Sequence, residues 1–228
     1  MSSIVGLHQP WVYRTVAAIT LLLAPPLCLT ACKPWTVRPI DPESKRTAEP
    51  PQESNPSAYV ASVWESKVVP TVINQAVELT TLLAALDTDP EAAKRQYGRR
   101  EADGPYQFIV KGEGRISRVN SSSRSRTVAI NLPKYQGKRE VLIQVGPVIR
   151  GTSLRDAVGF INFDQFVNQL QYAEVANGLN DRVLTSVLND LDLNAAQGRQ
   201  VSFYGVFTLG EGNKVFITPV RLGWEGKG

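Results

Sequence analysis

Histidine, cysteine and methionine are nearly missing from this chain. Its 228 residues hold one His (His8), two Cys (Cys28 and Cys32) and one Met (Met1), all within the first 32 positions. Beyond Cys32 there is no imidazole and no thiol. That excludes a disulfide, a zinc site built on His or Cys, and any catalytic arrangement that relies on either side chain. A carboxylate-only metal site needs clustered acids, and no Asp cluster of the calcium-loop kind occurs. No metal and no cofactor are expected. A strong excess of one charge is lacking too. There are 25 basic against 21 acidic residues, a net charge of +4, so the pI near 9.1 does not by itself imply nucleic acid. No nucleic-acid partner is expected.

Long hydrophobic runs are also scarce. The one candidate, "TVAAITLLLAPPLCLTAC", is interrupted by Pro25-Pro26 and is short for a membrane span of about 20 apolar residues. It follows Arg14, the single charged side chain of residues 1–31, and suits a signal-peptide core. It ends in Leu29-Thr30-Ala31-Cys32, which resembles the lipobox of bacterial lipoproteins. That resemblance implies cleavage after Ala31 and acylation of Cys32. Two or three acyl chains, at about 0.8 kcal/mol per buried methylene, hold a protein stably on a bilayer.

What is present falls into four parts. Residues 1–31 read as a signal peptide. Residues 32–57 are the acylated cysteine and a tether rich in Pro, Ser and charge, expected to be extended or disordered. Residues 58–100 read as helices: apolar residues from Tyr59 to Leu86, Val77 and Leu79 among them, recur at spacings near three and four, and Pro70 should kink or split the run. "TDPEAAKRQYG" adds a short helix, capped by Thr88 or Asp89 and ended by Gly98.

Residues 101–228 change period. "QFIVKGEGRISRVN" alternates and carries two glycines, so it reads as a strand that bends or bulges. "RTVAINL" and "REVLIQVG" are a second and a third strand. A knot, "GPVIRGTSLRD", leads to a long helix from about Phe163 to Leu191. "RQVSFYGVFTL" and "KVFITPVRL" close the chain as two more strands around the turn "GEGN". Three strands, a long helix and two strands is the order of an OB-fold, so the expectation is α+β and mainly β. It is an OB-fold-like five-stranded antiparallel barrel with the N-terminal helices packed on it, residues 58–228 forming one folded unit.

Candidate chemistry concentrates at the knot. Ser153-x-x-Asp156 has the form of a capping box. Arg150 and Arg155 are left over, and two guanidiniums beside a helix start can hold a carboxylate or phosphate. They can equally pair with Asp156, Asp164, Glu174 or the barrel rim. On the long helix Gln165, Asn168, Gln169 and Tyr172 share a face, and Asn180 continues a polar band. Such a band can bind a hydroxyl-rich small molecule, or be solvated. The candidate binding residues are therefore Arg150, Arg155, Asn168, Gln169, Tyr172 and Asn180. Phe203, Tyr204, Phe207 and Phe216 read as core and its neighbours. Of the acids only Glu113, Glu174 and Asp181 suggest a carboxylate-based hydrolase, and the sequence does not place two of them at one cleft.

Four segments, "YGRREADGPYQFIVKGEGRI", "GPVIRGTSLRDAVGFINFDQFVNQLQYAEVANGLN", "GRQVSFYGVFTL" and "ITPV", resemble the predicted periplasmic lipoproteins of domain-of-unknown-function family 2291. The resemblance runs from about Ala58 to Val220 and departs at "NSSSRSRTV", where a glycine is expected after the arginine. It implies a barrel related to OB-folds and a place in the cell envelope, facing the periplasm. It also implies an accessory role in ABC-type sugar uptake, because members commonly lie beside such transporter genes. It brings no catalytic residues. The leading reading is a non-enzymatic lipoprotein, held on the bilayer through Cys32, that binds a small polar ligand or a transporter component. The alternative is a structural or assembly lipoprotein that holds another envelope protein.

Overall fold

A computed structural model describes residues 55–101, 103–189 and 191–224. The signal segment, Cys32 and most of the tether lie outside the described residues.

Helix α1 (Pro56–Val63) starts at Asn55, whose side-chain oxygen accepts the N–H groups of Ser57 and Ala58. The split expected at Pro70 takes the form of a π-helical turn, Trp64–Val68, directly before α2 (Val69–Gln75). Pro70 lacks an N–H and its ring crowds the carbonyl one turn back, and the wider turn relieves that clash. The helical run then breaks again. Val77 and Glu78, expected within a helix, form a short strand, β1 (Val77–Glu78), before α3 (Leu79–Thr88). Asp89 caps α4 (Pro90–Tyr97) by accepting the Ala92 N–H at 3.0 Å, and Gly98 ends it, both as the sequence predicts.

The barrel strands follow. β2 (Gln107–Asn120) is long enough to serve three partners. Its C-terminal part pairs antiparallel with β3 (Thr127–Asn131), with a register shift between Ile116 and Arg118. Its N-terminal part pairs in parallel with β1, Val77 opposite Val110, and this pairing on an open sheet edge is what overrides the helical spacing of Val77. The glycines lie where β2 changes partner, and the backbone approach there is close: a side chain at Gly114 would place its Cβ 2.6 Å from the Asn131 carbonyl oxygen. Between β2 and β3 no glycine is needed, because the Asn120 side chain accepts the N–H and hydroxyl of Ser122 and turns the chain itself. β4 (Glu140–Gln144) pairs antiparallel with β3.

The connection after β4 differs from the single long helix expected. It holds α5 (Ser153–Val158), a 3₁₀ turn at Phe163–Gln165, α6 (Gln169–Arg182) and a π-helical turn at Val183–Val187. Gly159, at φ 73°, stops α5 in a left-handed conformation. Phe166 is extended, and Asn168 starts α6 anew by accepting the Gln171 N–H at 2.9 Å. Phe163, Phe166 and Val167 thus precede the helix whose apolar spacing they continue.

β5 (Gln200–Thr208) pairs antiparallel with β2, which closes the ring β2-β3-β4-β6-β5, and β6 (Lys214–Trp224) lies between β4 and β5. β4 and β6 run parallel, Val141 opposite Val215. A fully antiparallel ring is excluded by parity: directions that alternate around a closed ring need an even number of strands, and this ring has five. Pro219, which cannot donate to the ladder, sits at a β5–β6 register shift opposite Gly205.

Inward residues of the barrel, among them Val128, Ile130, Val141, Ile143, Val215 and Ile217, share one core with Leu79, Leu82, Leu83 and Leu86 of α3 and Leu154, Ala157 and Val158 of α5. α5 packs on β2 and β5, while α6 packs on α1. The intervening residues Thr127, Leu142, Gln144, Phe216 and Thr218 face the outside of the barrel, by the two-residue period of a strand.

Candidate functional site

The knot divides into an inward and an outward half. Arg155 belongs to the inward half: its side chain is only 12% exposed. Its Nε donates to Asp156 Oδ1 at 2.7 Å and its Nη1 to the Tyr172 carbonyl at 3.1 Å, and the guanidinium lies 3.7 Å from the Tyr172 ring centroid. The Tyr172 hydroxyl donates to Glu101 at 3.1 Å, and its ring meets those of Phe163 and Phe166. Burial pushes the Tyr172 pKa up to about 12, the Arg155 charge works against that rise, and the hydrogen bond to Glu101 adds to it. Tyr172 therefore stays a neutral donor, and the cluster fastens α5 to α6.

The predicted capping box is not formed. Thr152, not Ser153, occupies the N-cap position, and its hydroxyl donates to Asp156 Oδ2 at 2.6 Å. Ser153 is buried in the first turn, where its hydroxyl meets that of Thr208 at 2.7 Å, and Thr208 donates to Gln107 at 2.6 Å. The nearby barrel wall offers Ser153 a hydroxyl partner, and that bond replaces a cap.

Asn180 is also buried, and its Nδ2 donates to the Gly151 carbonyl at 3.0 Å, so α6 pins the knot from behind. Asn168 is the α6 N-cap, and Gln169 is exposed with no side-chain hydrogen bond among the described residues. The polar band of α6 is thus a fastening device in its buried part, and Asn168 and Gln169 line no cavity with Arg150.

The outward half is built around Arg150. Gln144 on β4 accepts the Arg150 N–H at 2.9 Å and donates to its carbonyl at 3.2 Å and to Thr218 at 2.9 Å. This two-point grip fixes the backbone of Arg150. Its exposed guanidinium makes no hydrogen bond or ion pair among the described residues. It borders a cavity of about 460 Å³ on the outer face of β2, β3, β4 and β6, with Leu142 and Gln144 in its lining. Arg118 pairs with Glu140 at the same cavity, and Lys214 lies 3.8 Å from the other Glu140 oxygen. The charged lining is therefore three cations, Arg118, Arg150 and Lys214, and one carboxylate, Glu140, which pairs with Arg118 and Lys214. Phe216 offers an aromatic ring that is 46% exposed, and the Ser125 hydroxyl is buried with no hydrogen-bond partner.

Sequence reasoning reached Arg150 but not Arg118, Ser125, Gln144, Lys214 or Phe216. The signal was the strand alternation itself. In "REVLIQVG" and "KVFITPVRL" the residues between the core positions include Glu140, Leu142, Gln144, Lys214, Phe216 and Thr218, and the parallel β4–β6 pairing sets them side by side. A second cavity, of about 600 Å³, is lined by Glu78, Lys111, Glu113 and Lys134 among others. Glu174 and Asp181 are exposed on α6 and line neither cavity. Among the described residues no group of His, Cys, Asp and Glu is arranged to hold a metal ion, and no helix is long and apolar enough to cross a membrane.

The closed ring, the parallel β4–β6 pair and the crossover through α5 and α6 define an OB-fold barrel. A solved structure agrees: a crystal structure of an OB-fold protein from Thermotoga maritima is similar over 75% of this chain and 98% of its own, with a TM-score of 0.62 and 19% identity. Among curated proteins none matches the chain. Residues 22–223 match the family model of the predicted periplasmic lipoproteins, domain-of-unknown-function family 2291, and the chain belongs to that family. A location in the cell envelope follows from the family.

Proposed function

We propose that this lipoprotein, anchored through Cys32 and facing the periplasm, binds a small hydroxylated anion in the Arg150 cavity as an accessory of sugar uptake. One observation carries the reading. A single cavity gathers an unpaired, backbone-fixed guanidinium, two further cations against one acid, a buried hydroxyl without a partner and an exposed aromatic ring. Arg150 and Ser125 would hold a carboxylate or phosphate, and Phe216 would stack on a sugar ring. The reading is one of binding, and the pairing of the cavity's one carboxylate, Glu140, with Arg118 and Lys214 supports it. The link to uptake rests on the family resemblance.

Thermal unfolding with a panel of neutral pentoses and hexoses, sugar acids and sugar phosphates tests the reading. A stabilising shift with the anionic members and none with their neutral parents is expected. Shifts of equal size with both, or with neither, would sink it.

A further inference from the structure

Four large hydrophobic side chains stand out as exposed among the described residues: Phe163, Val167, Leu170 and Phe216. Phe216 belongs to the cavity above. The other three lie within one eight-residue stretch, at 38%, 43% and 68% exposure. They are displayed on a firm support. The Gln165 side chain closes the 3₁₀ turn by accepting the Asn162 N–H at 3.2 Å, and Gln171 accepts the Val167 N–H at 3.2 Å. The Phe163 ring stands edge-on to Tyr172, 5.7 Å between centroids.

This stretch lies where the chain enters the domain. The Tyr59 N–H donates to the Asn55 carbonyl at 2.9 Å, and the Tyr59 ring meets Phe166 edge-on at 5.2 Å. Tyr59 also donates to Gln165 at 3.3 Å. The segment that leads back to Cys32 therefore joins the domain beside the exposed apolar side chains. A chain anchored through Cys32 is pulled toward the bilayer by this end.

We propose that Phe163, Val167 and Leu170 form the face on which the anchored domain rests against the lipid surface. The inference rests on anchoring at Cys32. Asp164, Asn168 and Gln169 interrupt the apolar residues, so the seating is shallow, at the level of the headgroups and upper acyl chains. The one charge within the stretch is Asp164, an acid, so the contact does not depend on anionic lipid. Seating this end on the membrane also fixes which side of the barrel faces the periplasm.

The full-length lipoprotein, reconstituted in phosphatidylethanolamine and phosphatidylglycerol vesicles, supplies the test. Leu170→Cys carries an environment-sensitive dye. Ala195→Cys is the control, exposed and beyond the far end of α6, whose 14 residues span about 21 Å. Both sites are exposed, so neither substitution disturbs the core. Lipids with a quencher in the upper acyl chain should lower emission at position 170 by about half and leave position 195 unchanged, at any phosphatidylglycerol fraction. Equal quenching at both sites, or none at 170 in vesicles that carry the protein on flotation, overturns the proposal and leaves the anchor standing. Protection at 170 that tracks protein concentration and not lipid assigns the face to a protein partner and also overturns it. Failure of the protein to float overturns both.

Discussion

Arg150 and Arg155 are five residues apart and have opposite fates. Arg155 is enclosed by Asp156, the Tyr172 carbonyl and the Tyr172 ring, and Arg150 has its backbone held by Gln144 and its side chain left over. Arg155→Ala removes two charge-assisted hydrogen bonds and a stacked cation and leaves Asp156 half-paired. It should cost about 2–3 kcal/mol. Arg155→Lys should recover little, because an ammonium cannot fork between Asp156 and the Tyr172 carbonyl. Urea unfolding of the three proteins measures both. Tyr172 adds a pH signature. Its proton is held more tightly in the folded state than in the unfolded chain, so its stabilisation is complete below pH 10 and is lost as pH rises toward 12. Tyr172→Phe should flatten part of that alkaline loss of stability. The sequence named both arginines as candidates, but it holds no sign of which one turns inward, since that depends on α6 lying against α5.

At the scale of elements, α6 acts through its ends and its buried edge. Asn180 reaches Gly151, and Asn168 begins the helix. Asn180→Ala leaves the Gly151 carbonyl without that donor and should cost about 1–2 kcal/mol. It should also weaken binding in the cavity, because the knot that presents Arg150 is loosened; Arg150→Ala should weaken binding with stability unchanged. Thermal unfolding and ligand titration of both variants separate the two effects. The five barrel strands were legible in the sequence because each is a run of apolar and β-branched residues bounded by polar or glycine-rich turns. The helical crossover was not: Phe163, Phe166 and Val167 continue the apolar spacing of α6, and only the capping by Asn162 and Asn168 shows that the chain is not yet helical. β1 was hidden for a related reason, since two residues carry no period and their strand exists only through pairing with β2.

For the whole molecule, a five-stranded ring forces one parallel pair, and that pair sets Leu142 beside Phe216 on the outer face. The cavity is thus a consequence of barrel closure, assembled from β2, β3, β4, β6 and the knot, and no single segment of sequence contains it. This is why the barrel was readable and the candidate site largely was not. The exposed apolar stretch from Phe163 to Leu170 and the charged cavity give the domain two different surfaces. Calorimetric titration of the lipoprotein with a sugar acid or sugar phosphate that shifts its unfolding, repeated with Arg150→Ala, tests binding in the cavity most directly. A Kd weakened about 10–100-fold by the substitution is expected, the size of one lost charge-assisted hydrogen bond. Binding should also weaken at higher salt. An unchanged Kd in Arg150→Ala would contradict binding in the cavity.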